Sequence, residues 1–406
     1  MAGKTVLILG GGVGGLVAAN ELRRRLGQEH RIVVVDKNGQ HLFSPSLPWV
    51  MVGWRHPEEI TKDLRRMVHP GVEVVQAQVQ AIDPAKQKVR TEAGELDYDY
   101  LVVALGAELA PEAMPGYAEA AHNFFTLDGA AALASALKVF SGGRVAVVVS
   151  KLPYKCPAVP YEAALLLHDV FRRRGLLRQI DLQVFTPESL PMPVAGPVLG
   201  GAVKGMLEEI GIGFHSNVQL ESIDPGRREL KFQGGATASF DLLVAAPPHR
   251  PPQALKGSGL TNEAGWVSVD RKTLRTSYDS VYAVGDVTSI TLPNGKPLPK
   301  AGVFAHAEAQ VVAHHIAADI QGAKSTEGFD GFGYCWIEMG NGRAGFASGN
   351  FYAEPNPAVQ LQRPGRLWHW GKGFFETYWL GDGLGRMSSR WALLLGSRLF
   401  RVPASL

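Results

Sequence analysis

Thr5-Val-Leu-Ile-Leu-Gly10-Gly-Gly-Val-Gly-Gly15-Leu-Val-Ala-Ala-Asn20-Glu-Leu-Arg-Arg-Arg25 is the stretch that decides the fold. Val6 to Leu9 is a continuous apolar run of strand length, Gly10 to Gly15 a turn, and Leu16 to Leu26 has helical spacing with three arginines towards its end. Arg31-Ile-Val-Val-Val35 then predicts a second strand, closed by Asp36. The turn satisfies G-x-G-x-x-G, in which Gly10 makes the turn, Gly12 lets a pyrophosphate approach the backbone, and Gly15 lets the helix pack closely. Asp36 lies 21 residues beyond Gly15, where a carboxylate can accept hydrogen bonds from ribose hydroxyls. Strand, glycine turn, helix, strand and acid in this order predict a Rossmann half that binds a dinucleotide, its phosphates on the helix N-terminus.

Working outward, 406 residues exclude a single small module, and 46% hydrophobic with 19% charged residues excludes disorder. A net charge of +3 with no nucleic-acid motif argues against nucleic acid as a partner. Two cysteines, Cys156 and Cys335, can form neither a secreted disulfide framework nor a zinc site, so no metal site is expected. No apolar run approaches the roughly 20 residues of a membrane span. Short strands are expected around Val72–Val75, Val79–Ile82, Lys88–Arg90 and Asp97–Leu105, the last ending in Ala104-Leu-Gly106. A second parallel unit begins with Arg144-Val-Ala-Val-Val-Val149 and a helix over Tyr161–Arg174, and continues through Leu182–Phe185, Gly213–Phe214 and Leu242–Ala245.

Val281-Tyr-Ala-Val-Gly285-Asp286 resembles the second flavin signature of flavoproteins with two dinucleotide-binding domains, which implies FAD. In that resemblance Asp286 holds the ribitol chain, and the helix predicted from Ala301 to Ile320 points its positive end at the flavin pyrimidine. Lys300 adds positive charge there, and Ala104 and Gly106 match the strand-end motif that crosses back to the cofactor. The second unit has no glycine fingerprint after Val149, where Ser150-Lys-Leu-Pro-Tyr-Lys-Cys156-Pro-Ala-Val-Pro-Tyr-Glu162 stands instead. A cysteine at a helix N-terminus between Lys151 and Lys155 is expected to favour thiolate. Each cysteine taken alone reads better as a buried inert residue than as a reactive one.

Phe43-Ser-Pro-Ser-Leu-Pro-Trp-Val-Met-Val-Gly-Trp54, Cys156-Pro-Ala-Val-Pro-Tyr-Glu162 and Tyr334-Cys-Trp-Ile-Glu-Met-Gly340 together resemble the sulfide:quinone oxidoreductase family, from Val6 to about Tyr378. The resemblance implies that hydrogen sulfide is oxidised to zero-valent sulfur or polysulfide at a Cys156/Cys335 redox pair, with Cys335 on the flavin side and two electrons passing through FAD to quinone. It places Glu162 on the sulfide side as a proton shuttle, Lys372 at a quinone carbonyl, and Trp336, Phe304 and Phe375 around the quinone ring. Glu162 also reads as a helix-face carboxylate, Lys372 as a lysine reaching for lipid headgroups, and the three rings as core or lipid-facing aromatics. Many family members carry a third cysteine in the region that here reads Asn123-Phe-Phe-Thr-Leu-Asp128, and its absence leaves the mode of sulfur release open. Two alternatives stand beside this reading: a sulfide dehydrogenase that passes electrons to a soluble cytochrome c, like the flavoprotein of flavocytochrome c sulfide dehydrogenase, and a persulfide-carrying flavoprotein without turnover.

From Leu361 to Leu406 seven cations oppose two carboxylates among many aromatic and aliphatic residues, a mixture suited to the bilayer interface. The same pattern fits a helix packed on the core or on a second copy in a homo-oligomer. The expected architecture is therefore α/β: an FAD-binding Rossmann domain over 1–115, a second Rossmann-like domain over 116–245, a return to the first over 246–325, and a smaller α+β region over 326–406 with a monotopic membrane-surface tail.

Overall fold

The computed structural model describes residues 3–400. Arg401, counted among the tail cations, lies outside the described residues.

The opening stretch folds as its spacing predicts. β1 (Thr5–Leu9) is buried along nearly its whole length, and Gly10 to Gly12 turn the chain into α1 (Val13–Arg25) and β2 (Arg31–Asp36). With β3 (Val72–Gln76) and β4 (Tyr100–Val103), β1 and β2 form part of a five-stranded parallel sheet. Side chains on a strand alternate between faces. Val6 and Ile8 therefore join the core under α1, while Leu7 and Leu9 join a separate core. That second core is closed by Val79, Ile82 and Val89 of an antiparallel three-stranded meander. With both faces covered, the strands are near-continuous runs of Val, Ile and Leu.

The second unit repeats this plan. β5 (Gly143–Val149) leads through a loop to α2 (Val159–Arg173), and β6 (Ile180–Phe185), β7 (Gly213–His215) and β8 (Leu242–Ala246) complete the sheet with the short strand Ala121–His122. Another meander, carrying Leu220, Ile223, Leu230 and Phe232, covers its far face. The chain then returns, because β9 (Val281–Ala283) pairs with β4 at the edge of the first sheet. α3 (Gly302–Ile320) follows and packs beside α1.

The helical faces of the two sheets share one continuous core, which includes Tyr161 of α2, Phe304 of α3 and Ile337. Ile337 belongs to β10 (Phe332–Gly340), which forms an antiparallel sheet with β11 (Arg343–Asn350) and β12 (Ala358–Gly365) and lies against α2. Two helices end the described residues, α4 (Arg366–Leu380) and α5 (Gly383–Phe400).

The tail departs from its reading as one interfacial stretch. At about 100° per residue α4 has two unlike faces. Leu367, Trp370 and Phe374 point outward, whereas Lys372 and Glu376 are buried and Phe375 and Trp379 join the aromatic packing inside. Trp368 stacks on Phe346 with ring centroids 4.9 Å apart. The inner aromatics thus serve the fold, and the outward apolar surface is carried by one stripe of α4 and by Leu384, Met387, Trp391, Leu395 and Leu399 of α5. Among the described residues no helix is long and apolar enough to cross a membrane.

Candidate active site

Where the two sheets, α3, β10 and α4 converge, the molecule encloses a mainly apolar cavity of about 630 Å³. Cys156, Cys335, Glu162, Lys300 and Lys372 all line it, together with Trp336, Phe304 and Phe375. Among the residues just named, positions up to 219 apart are brought together because α2, β10 and α4 pack on one another.

The dinucleotide cradle sits at one side. Gly10 has φ +103, and a side chain there would strike the carbonyl of Ala104, so the strand-end segment Ala104–Gly106 lies directly against the turn. A Cβ on Gly15 would strike the Gly10 carbonyl, whereas one on Gly12 would meet nothing within 4 Å. Gly12 thus opens on free space at the start of α1, as a pyrophosphate requires. Asp36 does more than await a ribose: its Oδ2 accepts from the Gly11 N–H at 2.7 Å and its Oδ1 from the Asn38 N–H at 2.8 Å.

At the other end Gly285, at φ +76, begins the turn that carries Asp286. Burial raises the Asp286 pKa, while Lys155 and Lys300 oppose the rise. Lys300 donates to the carbonyls of Asp286 (2.6 Å) and Thr288 (3.2 Å) and lies 3.5 Å from the Trp266 ring centre. Burial lowers its pKa to about 8. Glu308, in the middle of α3, accepts from the Gly285 N–H at 2.6 Å, and burial pushes its pKa up to about 7. No motif points to Glu308, although a carboxylate inside the apolar run Ala305–Ala309 is a signal of its own. These groups suit a flavin dinucleotide, with Gly10, Gly12, Gly15 and Asp36 at its adenosine diphosphate and Asp286 and Lys300 at its flavin end.

The cysteines correct the expectation of a ready thiolate. Cys156 lies three residues before α2, in the left-handed region at φ 51, and its N–H donates to the Lys300 carbonyl at 2.7 Å. Burial pushes its thiol up to about 12, helped by Asp286 and Glu162, and Lys155 opposes this without prevailing. Lys151 points to solvent. Cys335 opens onto the cavity and donates to the Trp336 carbonyl at 3.2 Å. The protein packed around the cavity, followed by Glu162 and Cys156, also brings its thiol to about 12. Desolvation outweighs the nearby positive charge at both sulfurs, which are unbonded to each other in this structure.

Glu162 and Lys372, expected at different substrates, form one buried ion pair at 2.6 Å. Burial acts against the Lys372 ammonium, but the charges of Glu162 and then Glu338 outweigh it and hold the lysine protonated. Its Nζ also lies 4.8 Å from the Trp49 ring centre. Glu338 is fully buried and bonds the His369 Nδ1 at 2.8 Å. Sequence reasoning missed this second carboxylate, for nothing local distinguishes it from a strand residue facing solvent. Of the three rings expected around a quinone, Trp336 and Phe375 lie together at 5.2 Å. Phe304 stands apart from that pair, edge-on to Phe329 and Phe351.

The sequence pattern of the pyridine nucleotide-disulphide oxidoreductases matches residues 4–311, three quarters of the chain. The chain belongs to the pyridine nucleotide-disulphide oxidoreductase family. It is a flavoprotein oxidoreductase, and its likeness to individual relatives covers more of the chain than this pattern does. It is 28% identical to the sulfide-quinone reductase of Aquifex aeolicus over 93% of this chain and 90% of that protein. It is 26% identical to the mitochondrial sulfide:quinone oxidoreductase of Mus musculus, over 86% of this chain and 79% of the relative. The crystal structure of the Aquifex aeolicus sulfide:quinone oxidoreductase superposes with a TM-score of 0.83 at 26% identity, covering 92% of this chain and 90% of that one.

Proposed function

We propose that this protein is an FAD-dependent sulfide:quinone oxidoreductase that oxidises hydrosulfide at a Cys156/Cys335 pair, releases zero-valent sulfur as polysulfide, and passes two electrons to a membrane quinone. The observation that carries the reading is the convergence of the chain's only two cysteines on one apolar cavity, beside a buried Glu162–Lys372 pair. The similarity to proteins named for this reaction supports it.

The oxidised pair is a Cys156–Cys335 disulfide. Hydrosulfide attacks the Cys156 sulfur, so that one S–S bond forms as another breaks, leaving a persulfide on Cys156 and a thiolate on Cys335. Glu162, whose carboxyl pKa burial raises, takes the persulfide proton. The protein packed around the cavity and the charge of Glu162 make the Cys335 thiolate costly. Bonding it to the persulfide sulfur relieves that cost and gives up two electrons. FAD, which the Gly10–Gly15 turn, Asp36, Asp286 and Lys300 would hold, would supply the two-electron acceptor for this pair and the reductant for quinone. A further hydrosulfide lengthens or releases the sulfur chain by the same exchange. Lys372, held protonated, presents positive charge to a quinone carbonyl lying against Trp336 and Phe375. The exposed apolar stripes of α4 and α5, flanked by Arg386 and Arg390, lie in the lipid interface where a quinone dissolves.

The test is the visible spectrum of the anaerobic holoprotein during addition of sulfide and then of a short-chain quinone. Bleaching by sulfide and recovery with quinone is the expected result, and Cys335→Ser abolishes the bleaching. A flavin that stays oxidised overturns the reading, and recovery with cytochrome c but not quinone overturns the quinone half of it.

A further inference from the structure

One buried side chain takes no part in the chemistry above yet joins two parts of the site. His41 lies on the short strand Gln40–Leu42 and is 1% exposed. Its Nδ1 is 3.0 Å from the carbonyl of Gly11, the middle glycine of the Gly10–Gly12 turn, and its Nε2 is 2.8 Å from the indole Nε1 of Trp379 on α4. We propose that this Trp379–His41–Gly11 chain makes helix α4 part of the dinucleotide site, so that retention of the flavin dinucleotide depends on α4 remaining docked. The inference rests on the flavin reading of the cradle but not on the identity of the electron donor.

The chemistry of the partners determines the direction of every bond. An indole nitrogen can only donate and a carbonyl can only accept. His41 must therefore be neutral with its proton on Nδ1. Burial, which lowers its pKa, favours that form. The Gly11 carbonyl and the Gly12 N–H belong to one planar trans peptide and point in opposite directions. Holding the carbonyl towards His41 thus aims the Gly12 N–H away from it, at the open side of the turn. Asp36 holds the preceding peptide through the Gly11 N–H at 2.7 Å. The turn is consequently clamped on two sides, once by its own β2 and once by a helix more than 330 residues away.

Trp379 is well placed to transmit movement of α4. It lines the cavity, and its ring lies 5.9 Å from that of His306, 6.1 Å from Phe375 and 6.3 Å from Phe43. It stands on the face of α4 opposite Trp370, the exposed side of the helix. Anything that lifts that outer face pulls at the inner hydrogen bond.

The test measures the FAD dissociation constant of the detergent-solubilised apoprotein by flavin fluorescence for wild type, His41→Ala, Trp379→Phe, the double variant, and Thr377→Ala on the same helix as control. Each single variant is expected to bind FAD about tenfold more weakly, the size of one buried hydrogen bond. The double variant is expected to lose no more than the worse single, because both cut one chain. Trp379→Phe keeps an aromatic ring and removes only the donor, so hydrogen exchange at the Gly11–Val13 amides supplies a second reading, expected to quicken. Unchanged binding and exchange in Trp379→Phe, or single losses that multiply in the double variant, overturn the proposal. Wild type that binds FAD but is not bleached by sulfide sinks the proposed function and leaves this test intact.

Discussion

Cys156 shows how a residue can be found by sequence and its state misjudged. Its position in place of a nucleotide loop marks it as special, and the neighbouring lysines argue for a thiolate, but burial at Cys156, and at Cys335 the protein packed around the cavity it opens onto, push both thiols up to about 12. Iodoacetamide at pH 7 to 9 should therefore label the reduced native protein slowly, with the rate still rising above pH 9. Since Glu162 raises the Cys335 pKa, Glu162→Gln should lower it and speed labelling of Cys335 at pH 9, read by mass spectrometry of the peptide. Lys300 carries the opposite lesson, because its environment depresses its pKa to about 8. Its positive charge is present below that pH and lost above it, so the flavin midpoint potential should fall more steeply with pH through about 8 in wild type than in Lys300→Met. Identical slopes would show that Lys300 does not act on the flavin. Neither value is legible in a sequence, because desolvation depends on what is packed around a group.

Among the elements, α1 and α4 mark the two extremes of legibility. The register of α1 against β1 follows from Gly10 and Gly15, since a side chain at either would strike a neighbouring carbonyl and only glycine allows these backbones to approach. α4 is ambiguous as a sequence, because Trp368, Trp370, Phe374, Phe375 and Trp379 are all aromatic and only the packing sorts them into inner and outer faces. The outer stripe continues on α5 through Leu384, Trp391 and Leu395. Replacing Trp391 and Leu395 with Glu should abolish flotation with phospholipid vesicles while leaving sulfide bleaching of the flavin within about twofold, as these exposed side chains do not line the cavity. Retained flotation would assign the stripe to a second copy of the chain, and the sedimentation mass of the variant would then fall.

At the scale of the whole molecule, two similar halves have unlike fates. The first sheet keeps its glycine turn. In the second, the loop after β5 fills the corresponding place, and Tyr154 and Tyr161 donate to the buried Glu188 beyond β6. NADH should accordingly fail to bleach the flavin at millimolar concentration under conditions where sulfide does so within seconds, and bleaching by NADH would reverse this reading of the second half. The repeated α/β plan, the dinucleotide turn and the two cysteines were determined by the sequence alone, because periodicity and glycine spacing are local properties of a chain. The Glu162–Lys372 pair, the Glu338–His369 contact, the His41 bridge and the protonation of both thiols were decided only by the tertiary structure. Each joins or buries residues distant in the chain, and the free energy of a charge or a polar hydrogen depends on neighbours that folding alone brings within reach.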